Sequence, residues 1–303
     1  MSQRVSIIMP TYNRAHCIAR AIESVIQQTW KDWELIIVDD GSLDETEKVV
    51  AKYKAKLGGK INYFKKINEG VSVARNVAIK RSCGELIGFL DSDDYYYPNK
   101  LNRQIRALND NPQAVMCYTN WSTFYDGNED GAMFHPLPDD LKGHIYPQLI
   151  SVQNCFITTP SVLLRRDTLF KAGLFDVNMH ICEDIDLWRR VSRLGPVVQI
   201  FEPLIGVHLR KDEKFNYVRS IEARMALYEK AHLDDNSIPV STFAVMMADI
   251  YEAYVGVAKY HGNVEYLTCL EHAEIITRQA TEWDTLDIAL KDCVRILREN
   301  GHR

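Results

Sequence analysis

Three carboxylates within four residues, Asp91-Ser92-Asp93-Asp94, close the apolar run Leu86-Ile87-Gly88-Phe89-Leu90. Like charges this close repel one another, so the turn needs water, neighbouring cations or a divalent metal to neutralise it. A hard, oxygen-liganded ion such as Mg2+ or Mn2+ suits such a cluster. Held by few protein ligands, it keeps positions open for the oxygens of a diphosphate. A solvated turn that caps a helix starting near Pro98 would use the same residues, and the turn alone does not decide between the two. A second acidic run, Cys182-Glu183-Asp184-Ile185-Asp186-Leu187-Trp188, leads into Leu187, Val191 and Leu194 at helical spacing. Glu183 and Asp184 are therefore expected at a helix N-terminus, where the dipole favours acids and where capping is the ordinary role. Asp186 and Trp188 fit either the core or a supporting shell.

The elements that must position these groups follow from periodicity. Short apolar runs at Val5 to Met9, Glu34 to Val38, Ile61 to Phe64 and Glu85 to Leu90 alternate with amphipathic stretches. The latter carry Ile18, Ile22, Val25 and Ile26, then Thr46 to Tyr53, then Val71 to Ile79. Strand and helix patterns in alternation predict βαβ units and an α/β, mainly parallel sheet flanked by helices. Such sheets bind ligands beyond the carboxyl ends of their strands. Those ends carry Pro10-Thr11-Tyr12-Asn13-Arg14, Asp39-Asp40-Gly41-Ser42, Asn68-Glu69-Gly70 with Arg75-Asn76, and the acidic turn. A ring face (Tyr12), acceptors for a base or ribose (Asp39, Asp40, Asn68) and cations for phosphate (Arg14, Arg75) together suit a nucleoside diphosphate. Each also has a plain structural use: Tyr12 as a packed turn residue, Asp40-Gly41-Ser42 as a turn ending in a helix cap, Arg75 as a partner for Glu69.

These four stretches, in this order, resemble the motifs of family 2 glycosyltransferases of the GT-A fold, over roughly the first two thirds of the chain. The resemblance implies a GT-A (Rossmann-like) domain at residues 1–210, its nucleotide half ending near 95 and its acceptor half spanning about 96–210. It implies that Tyr12 and Asp40 hold the base, that Arg75 and Asn68 place the nucleotide, and that Asp93 faces the ribose. Pro10, Thr11, Arg14, Asp39, Asp91 and Ser92 belong to the same donor site. Asp94, with Asp93, would ligate Mn2+ or Mg2+. The run at 183–184 is similar to the family's Glu-Asp motif, which implies Asp184 as general base and Glu183 as a residue orienting the acceptor or the base. Ile205-Gly-Val-His-Leu-Arg210 carries His208, a position where some relatives have a further metal ligand; a lone histidine there also serves structure. The implied activity is inverting transfer of a sugar from a nucleotide-sugar, with UDP as the expected nucleotide, to a hydroxyl of a saccharide, lipid-linked or protein acceptor, in surface polysaccharide or glycoconjugate synthesis. No Gln-x-x-Arg-Trp motif of processive members is present, so single sugar addition is expected. The alternative is a nucleotide-sugar-binding or regulatory protein on the same fold that no longer transfers.

Composition bounds the rest. With 303 residues, 46% hydrophobic content and a net charge of -5 without a basic block, the chain is a folded protein lacking the electrostatic footprint for nucleic acid. Seven scattered cysteines, Cys155 among them, with no Cys-x-x-Cys pair, predict reduced thiols in a cytoplasmic protein. Phe243 to Tyr260 is interrupted by Asp249, Glu252 and Lys259, so no membrane span is expected, although peripheral association with the inner face of a membrane is compatible with the pattern. Residues 211–303 form an expected all-α extension. Its four amphipathic patterns run through Tyr217 to Tyr228, Phe243 to Val257, Tyr266 to Ile276 and Trp283 to Leu297, with Asn263 and Thr281 at cap positions. These residues hold 11 Lys and Arg against 16 Asp and Glu, a balance that favours a protein partner or homodimer contact over an anionic membrane. A phosphoacceptor domain would place acids after the first strand, where this chain has Pro10-Thr11-Tyr12. A dinucleotide oxidoreductase would need a Gly-x-Gly-x-x-Gly there.

Overall fold

The computed structural model describes residues 3–125, 133–135, 142–146, 149, 157–209, 216–235, 237–261 and 264–300. Arg210, Cys155, Asn263 and the expected domain boundary after residue 210 lie outside them. The chain divides into two compact units. The described residues of the first fall within Met1–Tyr146 and Ile157–Asp212, those of the second within Pro147–Phe156 and Glu213–Arg303.

In the first unit, β1 (Val5–Thr11), β2 (Trp33–Asp39), β3 (Ile61–Lys65) and β4 (Leu86–Phe89) pair in parallel in the order β3-β2-β1-β4. The strands β1, β2 and β4 are buried at every position, as expected for a sheet covered on both faces. Helix α1 (Ile18–Ile26) buries Ile18, Ala21, Ile22 and Val25, the i, i+3, i+4, i+7 stripe that holds it on the sheet. Truncating Ile22 to Ala would cost about 2–5 kcal/mol. Two further helices follow, α2 (Thr46–Leu57) and α3 (Val71–Arg81). Register aligns Thr11 with Asp39, and Asp39 with Lys65, so three strands end level and their following turns share one edge.

Beyond β4, a short β5 (Tyr95–Tyr96) precedes α4 (Lys100–Asp110), and the sheet continues as β8 (Leu163–Arg165), β6 (Met116–Phe124) and β9 (Val197–His208), with β5 at the far edge and β7 (Met133–His135) paired to β6. Strand β8 runs antiparallel to β4 and β6, while β6 and β9 are parallel, making the sheet mixed. The sequence from Thr158 to Leu164 reads as one strand, but only β8 forms, because Thr159–Ser161 is a 3-10 turn. Pro160 has no N–H for a ladder, and the Thr158 carbonyl accepts from both the N–H and the hydroxyl of Ser161. The apolar run Ala114 to Tyr118 reads as a strand by itself, but β6 runs Met116–Phe124, since its polar second half is held by β7 and β9. Helices α5 (Arg166–Ala172) and α6 (Glu183–Ser192) complete this unit.

The second unit consists of α7 (Tyr217–Asp234), α8 (Val240–His261), α9 (Val264–Arg278) and α10 (Trp283–Asn300). The side chain of Asn216 caps α7 by accepting from Arg219 N–H at 2.9 Å. Thr281 stands one residue before the position that flanks α10, Glu282, whose carbonyl accepts from Leu286 N–H. Ile221, Tyr228, Phe243, Met247, Leu270, Leu286, Leu290 and Leu297 are buried, and the Trp283 ring stacks on His232 at 4.6 Å. Among the described residues, no helix is long and apolar enough to cross a membrane. Among the described residues, Cys17, Cys117, Cys182, Cys269 and Cys293 are buried and Cys83 is exposed, and none of them is in a disulfide.

Candidate functional site

The level strand ends open a cavity of about 390 Å³. It is lined by Pro10, Thr11, Tyr12, Arg14, Asp40, Asn68, Gly70, Val71, Ala74, Arg75, Asp91, Ser92 and Asp93. Tyr12 keeps 42% of its surface exposed on the rim. The Thr11 hydroxyl is buried without a hydrogen-bond partner in the structure, an orphaned donor of the kind a ligand satisfies.

Asp40 holds the wall together. Its carboxylate accepts from the Glu69 and Gly70 N–H groups at 3.0 and 2.8 Å and from Lys66 Nζ at 2.5 Å. Gly41 makes this approach possible: at φ 89° its missing Cβ would lie 3.1 Å from Asn68 N and 3.2 Å from Lys66 O. Asp39, in contrast, is fully buried and absent from the lining. Its oxygens accept from Ser42 N–H at 2.7 Å and Tyr63 O–H at 2.5 Å, so it shapes the turn. Burial and the Asp39 charge push the Tyr63 phenol well up.

Each acid of the turn has a separate partner. Asp91 pairs with Arg75 at 2.9 Å and Asp93 with Arg14 at 3.5 Å, while the Asp93 carbonyl accepts from Arg20 at 2.8 Å. Asp94 is buried and its Oδ1 accepts from the backbone N–H of His208 at 2.8 Å. Burial first, then the charges of Asp91 and Asp93, raise the Asp94 pKa well above the carboxylate range, against the pull of His208 N–H and Arg20. These acids do not cap the next helix, which begins at Lys100 after Asn99. A divalent ion fits this donor set. Asp94 is disfavoured as an anion by its burial and by the charges of Asp91 and Asp93, a strain that a cation would relieve, and an Mg2+-type ion needs only one or two carboxylates beside a diphosphate. Among the described residues, no group of three or more His, Cys, Asp or Glu side chains is placed to hold a metal. His208 reaches Asp94 through its backbone, and its ring lies 5.3 Å from Phe124.

At the start of α6, Cys182 adopts a left-handed φ of 62° and turns the chain into the helix without a side-chain cap. Glu183 and Asp184 therefore sit inside the first turn rather than at the cap. Asp184 accepts from the Thr159 hydroxyl at 2.9 Å and from Ile185 N–H at 2.8 Å. Glu183 accepts from Arg75 at 2.8 Å, and its pKa is raised by burial and by Asp184 against the effect of Arg75. Asp186 is a core group, fully buried between Arg189 at 3.0 Å and Arg190 at 2.7 Å. Sequence reasoning missed Lys66, Arg20 and Thr159. None stands in a recognisable motif, and only the fold brings each to an acid.

A family model described as glycosyl transferase family 2 matches residues 6–172. An uncharacterized glycosyltransferase of Rickettsia felis is 35% identical over 207 residues, 68% of this chain, which spans only about 33% of that relative's length. The Escherichia coli protein WfgD, named as a UDP-Glc:alpha-D-GlcNAc-diphosphoundecaprenol beta-1,3-glucosyltransferase, is 37% identical over 190 residues, 62% of this chain and 70% of its own. In structure, residues 1–349 of S. aureus TarS superpose with a TM-score of 0.65 at 17% identity, covering 99% of this chain and 90% of that one. The mannosyltransferase PcManGT from Pyrobaculum calidifontis, solved with GDP-Man and Mn2+, gives 0.60 at 15% identity, covering 99% and 87%. The architecture is the GT-A fold with helices after it, and the chain belongs to glycosyl transferase family 2.

Proposed function

We propose that this protein is an inverting glycosyltransferase that uses Mn2+ or Mg2+ to move a sugar from a UDP-sugar to an acceptor hydroxyl in polysaccharide or glycoconjugate synthesis. The observation that carries the proposal is the cavity itself, whose lining joins Tyr12, Arg14, Asp40, Asn68, Arg75, Asp91 and Asp93 at one sheet edge. The choice of UDP is supported by the name of the E. coli relative, a UDP-Glc-dependent glucosyltransferase. Tyr12 offers a face for the base, and Arg14 reaches the phosphate side beside Asp93. Asp93 and Asp94 would hold the ion, which when bound supplies positive charge against the leaving diphosphate. Asp184 takes the proton from the acceptor hydroxyl as its oxygen attacks the anomeric carbon opposite the diphosphate. A single displacement of this kind inverts the anomeric configuration. Thr159 holds the Asp184 carboxylate in place for that step.

Calorimetric titration with UDP, GDP and dTDP, each with Mn2+ and with a chelator, tests the site. Metal-dependent binding of UDP is expected, followed by UDP release from a UDP-sugar when a saccharide acceptor is added. A protein that binds none of the three nucleotides would overturn the proposal.

A further inference from the structure

The cavity and the acid pair on α6 are joined by one face of α3. Ser72, Arg75 and Asn76 stand at i, i+3 and i+4, the spacing that puts side chains on one helix face. Asn76 exchanges two hydrogen bonds with the Phe175 backbone at 2.8 and 3.0 Å, and the Ser72 hydroxyl donates to the Met179 carbonyl at 3.4 Å. Between them, Arg75 donates Nη1 to Glu183 at 2.8 Å and Nη2 to Asp91 at 2.9 Å, its guanidinium carbon 5.2 Å from the centre of the Phe175 ring. The arginine is 4% exposed. The segment from Phe175 to Glu183, which delivers Asp184, is thus fastened to the helix that walls the donor cavity.

We propose that Arg75 is a positioning residue that ties the acid pair of α6 to the floor of the donor cavity, rather than a ligand of the donor's phosphates. The inference rests on the glycosyl-transfer reading of the site. Each terminal nitrogen of the guanidinium already donates to a carboxylate, its Nε is buried without a partner, and the trio Asp91, Arg75 and Glu183 carries an excess of one negative charge. A phosphate approaching it would meet that excess charge and would have to share the guanidinium with both carboxylates. Burial by itself would lower the guanidinium pKa, and the charges of Asp91 and Glu183 more than offset that. Lysine cannot make the same bridge, because one ammonium point charge replaces a planar fork that reaches two acids in fixed directions. Loss of the bridge frees Glu183, and with it the first turn of α6 that presents Asp184.

The test compares wild type, Arg75→Lys, Glu183→Gln and the double variant, each first checked for folding by thermal melting. Two quantities are read: UDP affinity with Mn2+ by calorimetry, and kcat and acceptor KM with the acceptor that wild type uses. Arg75→Lys is expected to bind UDP within about threefold of wild type. Its kcat/KM for the acceptor falls by about tenfold to a hundredfold, as for a displaced catalytic group. Glu183→Gln, which breaks the same bridge from its other end and keeps the arginine, gives the same split, and the double variant is no worse than either single one. Tenfold or greater loss of UDP affinity in Arg75→Lys, with affinity intact in Glu183→Gln, would make Arg75 a phosphate ligand and overturn the inference, as would additive effects in the double variant. Wild-type protein that binds no UDP overturns the transfer reading itself, and this inference with it.

Discussion

Arg75 and Lys100 are both buried in the first unit, and they solve the same problem in opposite ways. Arg75, 4% exposed, stands between two carboxylates that keep it charged. Lys100, fully buried at the start of α4, has no carboxylate beside it: its Nζ donates to Gln104 Oε1 at 2.7 Å and lies 4.1 Å from the Tyr96 ring centre. Desolvation lowers the lysine pKa to about 7, against a small opposing effect of Cys117, whose own thiol is pushed up to about 12. The sheet edge therefore retains charge where chemistry can use it. A few residues away, beneath the acidic turn, the same fold gives charge up where only packing is needed.

If charge at the edge serves transfer, its removal should act on rate before stability. Asp184→Asn keeps the size and the hydrogen bond from Thr159 but not the basicity. The expected loss in turnover is ~10²–10⁴-fold with UDP binding and melting temperature unchanged, measured as UDP release from the sugar nucleotide. Normal turnover would remove Asp184 from the mechanism. Arg75→Met tests the structural half of the contrast. It leaves Asp91 and Glu183 without their counter-charge, and a loss of about 3–5 kcal/mol in urea unfolding is expected. A change near zero would mean that water replaces the guanidinium without cost, and Arg75 would then differ little from a surface ion pair.

The acidic turn, the strand-end motifs and the order of elements through β4 were legible because each depends on neighbours in sequence. Alternation gives strands, and a level parallel register brings their ends together whatever the details. The partners of the charged groups were not legible. Arg75 reads as a mate for Glu69 six residues before it, yet its acids are Asp91 and a glutamate 108 residues away. Asp39 and Asp40 are adjacent and look alike, but period-two geometry sends one into the turn behind the cavity and the other to its wall. On α4, Leu101, Ile105 and Leu108 form an apolar stripe that the sequence shows, whereas nothing in the sequence marks Lys100 and Gln104 as buried. Gln104 is in fact spanned by the carbonyls of Cys117 and Ser161, which close over it. The stretch from Thr158 to Leu164 reads as one strand in spite of Pro160, and the 3-10 turn that sets Thr159 against Asp184 needs the fold.

The Lys100 side of the contrast gives the smallest effect and a distinctive sign. The unfolded lysine titrates near 10.4 and the folded one near 7, so between these values the unfolded chain binds more protons and stability rises with pH. The rise is about 1.4 kcal/mol per pH unit and roughly 5 kcal/mol across the window, with the full cost of burial present below pH 7. Lys100→Met removes this slope and leaves Gln104 Oε1 without its donor, a loss of about 1–3 kcal/mol at any pH. The two stability curves should therefore cross. At pH 7 the methionine variant is expected to be more stable by roughly 2 kcal/mol, and at pH 10 to be the less stable of the two, both read from urea midpoints. Parallel curves would show that Lys100 holds its proton inside the core, and the burial that distinguishes it from Arg75 would then have to be satisfied by a counter-charge.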